Sequence, residues 1–89
     1  MAYFVYILLS RKDDKLYIGC TSNTNRRLTR HNEGHVPATK HRRPLDLIHS
    51  EKFESKPEAF QRERFLKSLW AGRFKKIIKK RYLNQNRTR

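Results

Sequence analysis

Cysteine is almost absent from this sequence, since Cys20 is the only one among 89 residues. A single thiol excludes an internal disulfide, so nothing indicates an oxidising compartment. The apolar run at residues 3–9 is too short to cross a bilayer. It also lacks the basic flank and small-residue cleavage site of a secretory signal. We therefore expect a cytoplasmic protein with no membrane partner, in which residues 3–9 form a buried strand.

Acidic residues are also scarce, because eight Asp and Glu stand against 22 Lys and Arg, for a formal net charge of +14. Such a surface attracts polyanions, and nucleic acid is the commonest polyanion in a cell. An anionic membrane surface is a rival partner, but the basic residues are spread along the whole chain rather than one helix. A nucleic-acid partner is therefore predicted, and a charge that serves solubility alone is the alternative.

The few glycines and prolines help to place the elements. Residues 3–9 and 16–20 are rich in β-formers and predict a hairpin. Ser22 or Asn23 can cap a helix over residues 24–33, which ends at Gly34. A third strand is predicted over residues 45–53.

The second half of the chain predicts two helices. Ser55 and Glu58 have the spacing of a capping box, so a longer helix should run from there to about Trp70 and stop near Gly72. A short basic amphipathic helix should follow, with apolar residues at 74, 77, 78 and 82. We assign residues 1–83 to one domain and residues 84–89 to a basic polar tail.

Gly19 is the unexpected residue of the second strand, because glycine weakens a strand interior. If Leu9 faces Leu16 across the hairpin, Tyr6 faces Gly19, and Tyr6 and Tyr17 share one face of the sheet. The glycine would then leave space for a bulky group to approach two phenols. The alternative is that both tyrosines pack in the core and Gly19 marks a bulge.

The first predicted helix carries two pairs of basic residues. Arg27 and His31 are four residues apart and project from one face, and Arg26 and Arg30 form a neighbouring pair. Guanidinium groups bind phosphate through paired hydrogen bonds, and histidine can exchange protons near neutral pH. This pattern predicts an anion site, and a solvated basic face is the alternative.

Glu63 falls among apolar residues on the second predicted helix, on the side of Ala59, Leu66 and Trp70. A carboxylate in such a stripe is costly unless it is paired or holds a metal. One carboxylate suits Mg²⁺, which keeps most of its waters. An ion pair with Lys67 is the alternative. The four histidines and Cys20 match no zinc-ligand spacing.

These residues together resemble the GIY-YIG nuclease family, and in particular its small standalone members. "FVY" at 4–6 stands at the first motif, where Phe4 replaces the family's glycine, and "YIG" at 17–19 is the second motif. On the family's catalytic positions stand five residues of this chain: Tyr6, Tyr17, Arg27, His31 and Glu63. A late asparagine is frequent in the family, and Asn84 or Asn86 could correspond to it.

The resemblance implies an α+β fold with a small three-stranded antiparallel sheet flanked by helices. It also implies an endonuclease that hydrolyses phosphodiester bonds with Mg²⁺ or Mn²⁺ at Glu63, with DNA favoured over RNA as the substrate and the choice between them left open. A structure-specific role in DNA repair is left open. Nucleic-acid contacts are expected from Gly19, Arg26, Arg30 and Lys67. The alternative is a basic nucleic-acid-binding module on the same fold without cleavage.

Overall fold

The computed structural model describes residues 2–87, with side chains up to residue 85. The chain forms β1 (Tyr3–Ser10), β2 (Leu16–Thr21), α1 (Thr24–Asn32), β3 (Leu45–Phe53), α2 (Lys56–Lys67) and α3 (Gly72–Arg87). Two short 3₁₀ turns lie at Lys40–Arg42 and Leu69–Ala71. The α+β class and the three-stranded antiparallel sheet are therefore confirmed, and β3 has the bounds that the sequence predicts.

The central strand of the sheet is β1, because the strand order is β2–β1–β3 and both pairings are antiparallel. Leu9 pairs with Leu16 and Tyr6 pairs with Gly19, which is the predicted register. Ser10 stabilises the hairpin turn, since its hydroxyl accepts hydrogen bonds from the amides of residues 12 and 13. This register brings Tyr6 and Tyr17 to the same face of the sheet.

Helices cover both faces of the sheet, which explains why β1 is buried from Val5 to Ser10. On one face, α2 and α3 pack over a cluster of apolar residues: Val5, Ile7, Ile18, Ala59, Leu66 and Ala71. The other face carries Tyr6, Leu8 and Leu45. Tyr17 of β2 and Leu28 of α1 pack against them. Because successive residues of a strand point to opposite faces, Tyr6 lies on the α1 side and its neighbours Val5 and Ile7 lie on the α2 side.

Helix α1 is held at both ends. The Asn23 side chain accepts a hydrogen bond from the Arg26 amide at 3.0 Å, so Asn23 is the N-cap. Beyond the other end, Gly34 has a φ of 84°, which glycine adopts without strain. Asn32 also exchanges two hydrogen bonds of 2.8 and 3.0 Å with the backbone of Leu45 in β3. These contacts fix α1 over the sheet.

Helix α2 ends earlier than predicted, at Lys67 rather than near Trp70. Ser68 has an extended backbone (ψ of 165°), and its hydroxyl donates a hydrogen bond to the Phe65 carbonyl at 2.6 Å. The chain then makes a 3₁₀ turn that buries Ala71 and leaves Trp70 88% exposed. Trp70 was therefore wrongly placed on the buried side of α2, and Gly72 begins α3 instead of ending α2.

Helix α3 is longer than predicted and includes residues 84–87, which the sequence assigned to a polar tail. The sequence after Gly72 contains neither glycine nor proline, so no residue there breaks the helix. Residues 88 and 89, the end of the predicted tail, lie outside the described residues. Among residues 2–87, no helix is both long and apolar enough to span a membrane.

Candidate active site

The ring of Tyr6 fills the space beside Gly19. A Cβ atom built on Gly19 would lie 2.9 Å from Tyr6 Cε2 and closer still to Cζ and the hydroxyl. Real Cβ atoms do not approach carbon so closely, so only glycine fits opposite Tyr6. The space that the sequence predicts beside Gly19 thus holds the phenol itself, and Gly19 is buried. Contact of Gly19 with nucleic acid stays a prediction.

A chain of hydrogen bonds runs from α1 through Tyr6 to the loop before β3. Arg27 donates from Nε to the Tyr6 hydroxyl at 3.4 Å, and that hydroxyl lies 3.0 Å from His31 Nε2. His31 Nδ1 lies 2.7 Å from the Thr39 hydroxyl, which donates to the Val36 carbonyl at 3.5 Å. His31 and Thr39 have no exposed surface, and Tyr6 is only 2% exposed. Side chains from β1, α1 and the following loop are thereby locked together.

The donors and acceptors of this chain define one imidazole tautomer. The single Thr39 hydroxyl proton is directed to the Val36 carbonyl, so Thr39 must accept a hydrogen bond from His31 Nδ1–H. His31 Nε2 then has no proton and accepts the hydroxyl proton of Tyr6. Tyr6 donates to His31 and accepts from Arg27.

Burial determines the protonation states of this network. It lowers the pKa of His31 to about 4, and the positive charge of Arg27 acts in the same direction. Burial also raises the pKa of Tyr6; the Arg27 hydrogen bond opposes this, and the nearby Tyr17 and Glu63 add to it. At neutral pH both groups are therefore uncharged, and Arg27 is the cation of the cluster.

Tyr17 is the more accessible of the two phenols. Its ring centroid lies 6.4 Å from that of Tyr6 and 5.0 Å from that of His31. Unlike Tyr6, Tyr17 is only partly buried. The pKa of Arg27 is raised first by its hydrogen bond to Tyr6 and then by both phenols, so this guanidinium lies close to the pair. Four of the five predicted catalytic residues thus form one contiguous cluster.

An open cleft of about 380 Å³ adjoins this cluster at the N-terminal end of α1. Its lining is polar and basic: Thr21, Ser22, Asn23, Arg26, Arg27 and Arg30. The first turn of α1 contains no acidic residue, so nothing there neutralises the helix dipole or the guanidinium groups. Arg26 and Arg30 are exposed and Arg27 is half-buried. The cleft therefore suits a phosphate group.

Glu63 approaches from the other side of the sheet, because α2 packs on the face away from α1. Its side chain is 20% exposed and forms an ion pair with Lys67 at 3.2 Å, as the alternative reading of the sequence predicts. Its charge also acts on Tyr6 and on Cys20 of β2, whose pKa is raised mainly by burial and further by Glu63. Glu63 therefore lies near the β2 edge of the sheet, close to the tyrosine cluster but not hydrogen-bonded within it.

Glu63 is the one carboxylate of this site that could bind a divalent cation. No group of three or more His, Cys, Asp or Glu residues gathers in the described part of the chain. Lys67 is 53% exposed, so its pair with Glu63 is solvent-screened and weak enough to be exchanged. The donor set fits Mg²⁺, which is commonly held by one or two carboxylates and otherwise by water and substrate phosphate oxygens. Asn84 is exposed on α3, and the Asn86 side chain lies outside the described residues.

Thr39 is the residue of this network that sequence reasoning missed. It lies in a basic loop without periodicity, eight residues after His31, so no helical or strand spacing relates the two. Its burial arises because the loop folds back under α1, where the His31 Nδ1–H would otherwise be unpaired. The contact between Thr39 and His31 can therefore be recognised only in the folded structure.

Replacing Thr39 with valine is expected to destabilise the protein by about 1–3 kcal/mol, because a buried N–H loses its acceptor. Long-range ¹H–¹⁵N NMR should show the Nδ1–H tautomer of His31 in the wild type and a mixture in the variant. The wild-type imidazole should titrate near pH 4 rather than 6.5. Since the unfolded imidazole takes up its proton first, the free energy of unfolding should fall as pH drops through this interval. Thr39→Ser is the control that keeps the hydroxyl, and a wild-type His31 titrating near 6.5 would contradict the assignment.

The comparisons with known proteins agree with this geometry. A family model described as the GIY-YIG catalytic domain matches residues 2–77. A UPF0213 protein of Natronomonas pharaonis is 39% identical over 77 residues, covering 85% of this chain and 89% of the relative. One of Bacillus velezensis is 39% identical over 90 aligned positions, covering 97% and 82%. The solution NMR structure of a UPF0213 protein from Bacillus halodurans has 33% identity and a TM-score of 0.54, covering 88% of this chain and 83% of that one. This chain, with its tyrosine pair, arginine, histidine and helical glutamate, belongs to the GIY-YIG family of nuclease domains.

Proposed function

We propose that this protein is a divalent-metal-dependent endonuclease that hydrolyses phosphodiester bonds in DNA. The observation that carries the proposal is the Arg27–Tyr6–His31 network, in which the phenol and the imidazole are buried and Arg27 lines the adjoining cleft. A protein that only bound nucleic acid would need exposed cations. In an enzyme, a guanidinium fixed in position by a buried phenol and imidazole can also stabilise the charge that develops on a phosphoryl group.

The cleft at the N-terminus of α1 is the proposed site of the scissile phosphate. Arg27 is held at a defined position by its hydrogen bond to Tyr6, so its guanidinium can meet the charge that develops on the phosphoryl oxygens. Arg26 and Arg30 are exposed and flank it, which suits them to neighbouring phosphates. Lys67 is assigned to the nucleic-acid backbone on the same ground.

The two tyrosines take different roles in this proposal. Tyr6 is buried and already donates to His31 and accepts from Arg27, so its role is to position the guanidinium. Tyr17 is accessible and is the group that would orient the attacking water. As a base, its phenolate oxygen would take the water proton while the water oxygen bonds to phosphorus and the leaving oxygen departs.

Glu63 is the proposed ligand of Mg²⁺ or Mn²⁺. When bound there, such an ion would polarise the phosphate and stabilise the leaving oxygen. Because β2 is an edge strand, a substrate at this edge can reach groups from both faces of the sheet. Glu63 in α2 and the tyrosine cluster under α1 could thus act on one phosphodiester.

The proposal is tested with Glu63→Gln on a panel of labelled duplex, branched and single-stranded DNA and RNA, with Mg²⁺, Mn²⁺ or EDTA. Cleavage should fall by at least about a hundredfold, because the variant loses its metal ligand, whereas binding in EDTA should persist. Glu54→Gln, an exposed carboxylate just before α2, is the matched control.

Two results would count against this function. Metal-dependent nicking that survives Glu63→Gln unchanged would remove Glu63 as the ligand. A wild-type protein that binds the whole panel and cuts none of it would favour the non-catalytic binding module. The panel also tests the preference for DNA over RNA and any preference for branched or single-stranded substrates.

A further inference from the structure

The turn between α2 and α3 presents two large apolar side chains to solvent. Leu69 is 99% exposed and Trp70 is 88% exposed, more than the other large exposed hydrophobic residues of the described chain. The turn forces this display, because Ser68 ends α2 and Ala71 is the member of the turn that is buried. The buried Ala71 anchors the turn, and the exposed indole ring of Trp70 presents a flat face to solvent.

The chain beyond Glu63 carries charge of one sign. All eight Asp and Glu residues lie at or before Glu63, so Arg and Lys are the only charged residues in the rest of the chain. Arg64, Lys67 and Arg73 are near the turn in the sequence and are exposed, and Lys67 pairs with Glu63 at 3.2 Å. Two such surfaces repel each other, which disfavours a second copy of this chain, whereas a polyanion is attracted. Exposed aromatic rings among cations are typical of surfaces that bind single-stranded nucleic acid.

We propose that Trp70, supported by Leu69, is a stacking site for an unpaired nucleobase of the nucleic acid whose phosphates contact Lys67 and Arg73. The inference rests on the proposed function only in taking nucleic acid as the substrate. A base inside a duplex is covered on both faces by its neighbours, so an exposed indole needs an unpaired base or the last pair at a duplex end to stack on. The substrate class is therefore nucleic acid with a single-stranded segment, such as a flap, gap or branch.

Trp70 is the only tryptophan of the chain, so its fluorescence reports directly on this site. In EDTA, an oligothymidylate should quench the emission, because the base stacks on the indole. Heparin, a polyanion without bases, should bind without comparable quenching. In binding titrations, Trp70→Leu should weaken oligothymidylate binding by about tenfold and leave binding to a duplex closed into a circle unchanged, whereas Trp70→Phe should retain most of the affinity.

Ile77→Ala removes another exposed apolar side chain from the same acid-free segment and is the matched control, with no expected loss. Equal quenching by heparin, or an unchanged oligothymidylate affinity in Trp70→Leu, would overturn the stacking site. A Trp70-dependent self-association in sedimentation would assign the surface to a second copy instead. Stacking without any metal-dependent cleavage would refute the nuclease and leave this inference intact.

Discussion

Gly19→Ala is expected to destabilise the protein by about 1–3 kcal/mol and to lower cleavage at least a hundredfold, since the added methyl group overpacks the site. The methyl group would overlap the phenol ring of Tyr6. Tyr6 can retreat only by breaking its hydrogen bonds to Arg27 and His31. Either the ring leaves the network or β2 moves away from β1, and both displace the guanidinium. Thermal unfolding and a cleavage assay on the same preparation measure the two effects.

Gly72→Ala provides the matched control, because a Cβ there meets no atom within 4 Å and the backbone is already helical. That variant should be neutral or stabilised by up to about 1 kcal/mol. In a Tyr6→Leu background, Gly19→Ala should cost clearly less than in the wild type, since the clash partner is gone. Additive losses in this double-mutant cycle would mean that Gly19 is required for another reason.

Arg27→Lys is expected to lower kcat by about two to three orders of magnitude while the affinity for nucleic acid changes by only a few fold. Lysine keeps the positive charge but loses the fork geometry and the Nε–H that binds Tyr6. Arg30→Ala should show the reverse pattern. Affinity should fall and the salt dependence should become shallower by about one unit, while kcat at saturation is retained.

Single-turnover cleavage and equilibrium binding at several salt concentrations separate the two contributions. Equal losses of affinity and turnover in Arg27→Lys would identify Arg27 as a phosphate clamp like its neighbours. A fall in kcat for Arg30→Ala at saturating substrate would instead extend the catalytic group to the exposed side of α1.

Local sequence rules determined much of the framework around this site. The hairpin register follows from the apolar pattern, since a shift of one residue would turn the hydrophobic side chains of a strand to the wrong face. The caps at Asn23 and Ser55 follow from side chains that bind free helix amides. The placement of Tyr6, Tyr17, Arg27 and His31 on the α1 side needed nothing further, because hairpin and helix are adjacent in the chain.

Contacts between distant segments could not be predicted in this way. The end of α2 depended on whether Ala71 or Trp70 would be buried, which is a question of packing against the sheet rather than of helical period. Glu63 could be placed on α2, but its approach to the β2 edge depends on how that helix crosses the other face. Thr39 forms a hydrogen bond with the buried Nδ1 of His31, from which it is separated by eight residues that include an irregular loop.

The amino-acid order alone specified which chemical groups this protein possesses and which of them share a strand or a helix, because those relations depend on short-range backbone geometry. Tertiary structure alone decided that the glycine of the second strand seats a phenol and that the imidazole is dry and uncharged. It also decided that the indole faces water. Burial is a property of the whole assembled surface, and no short segment contains it.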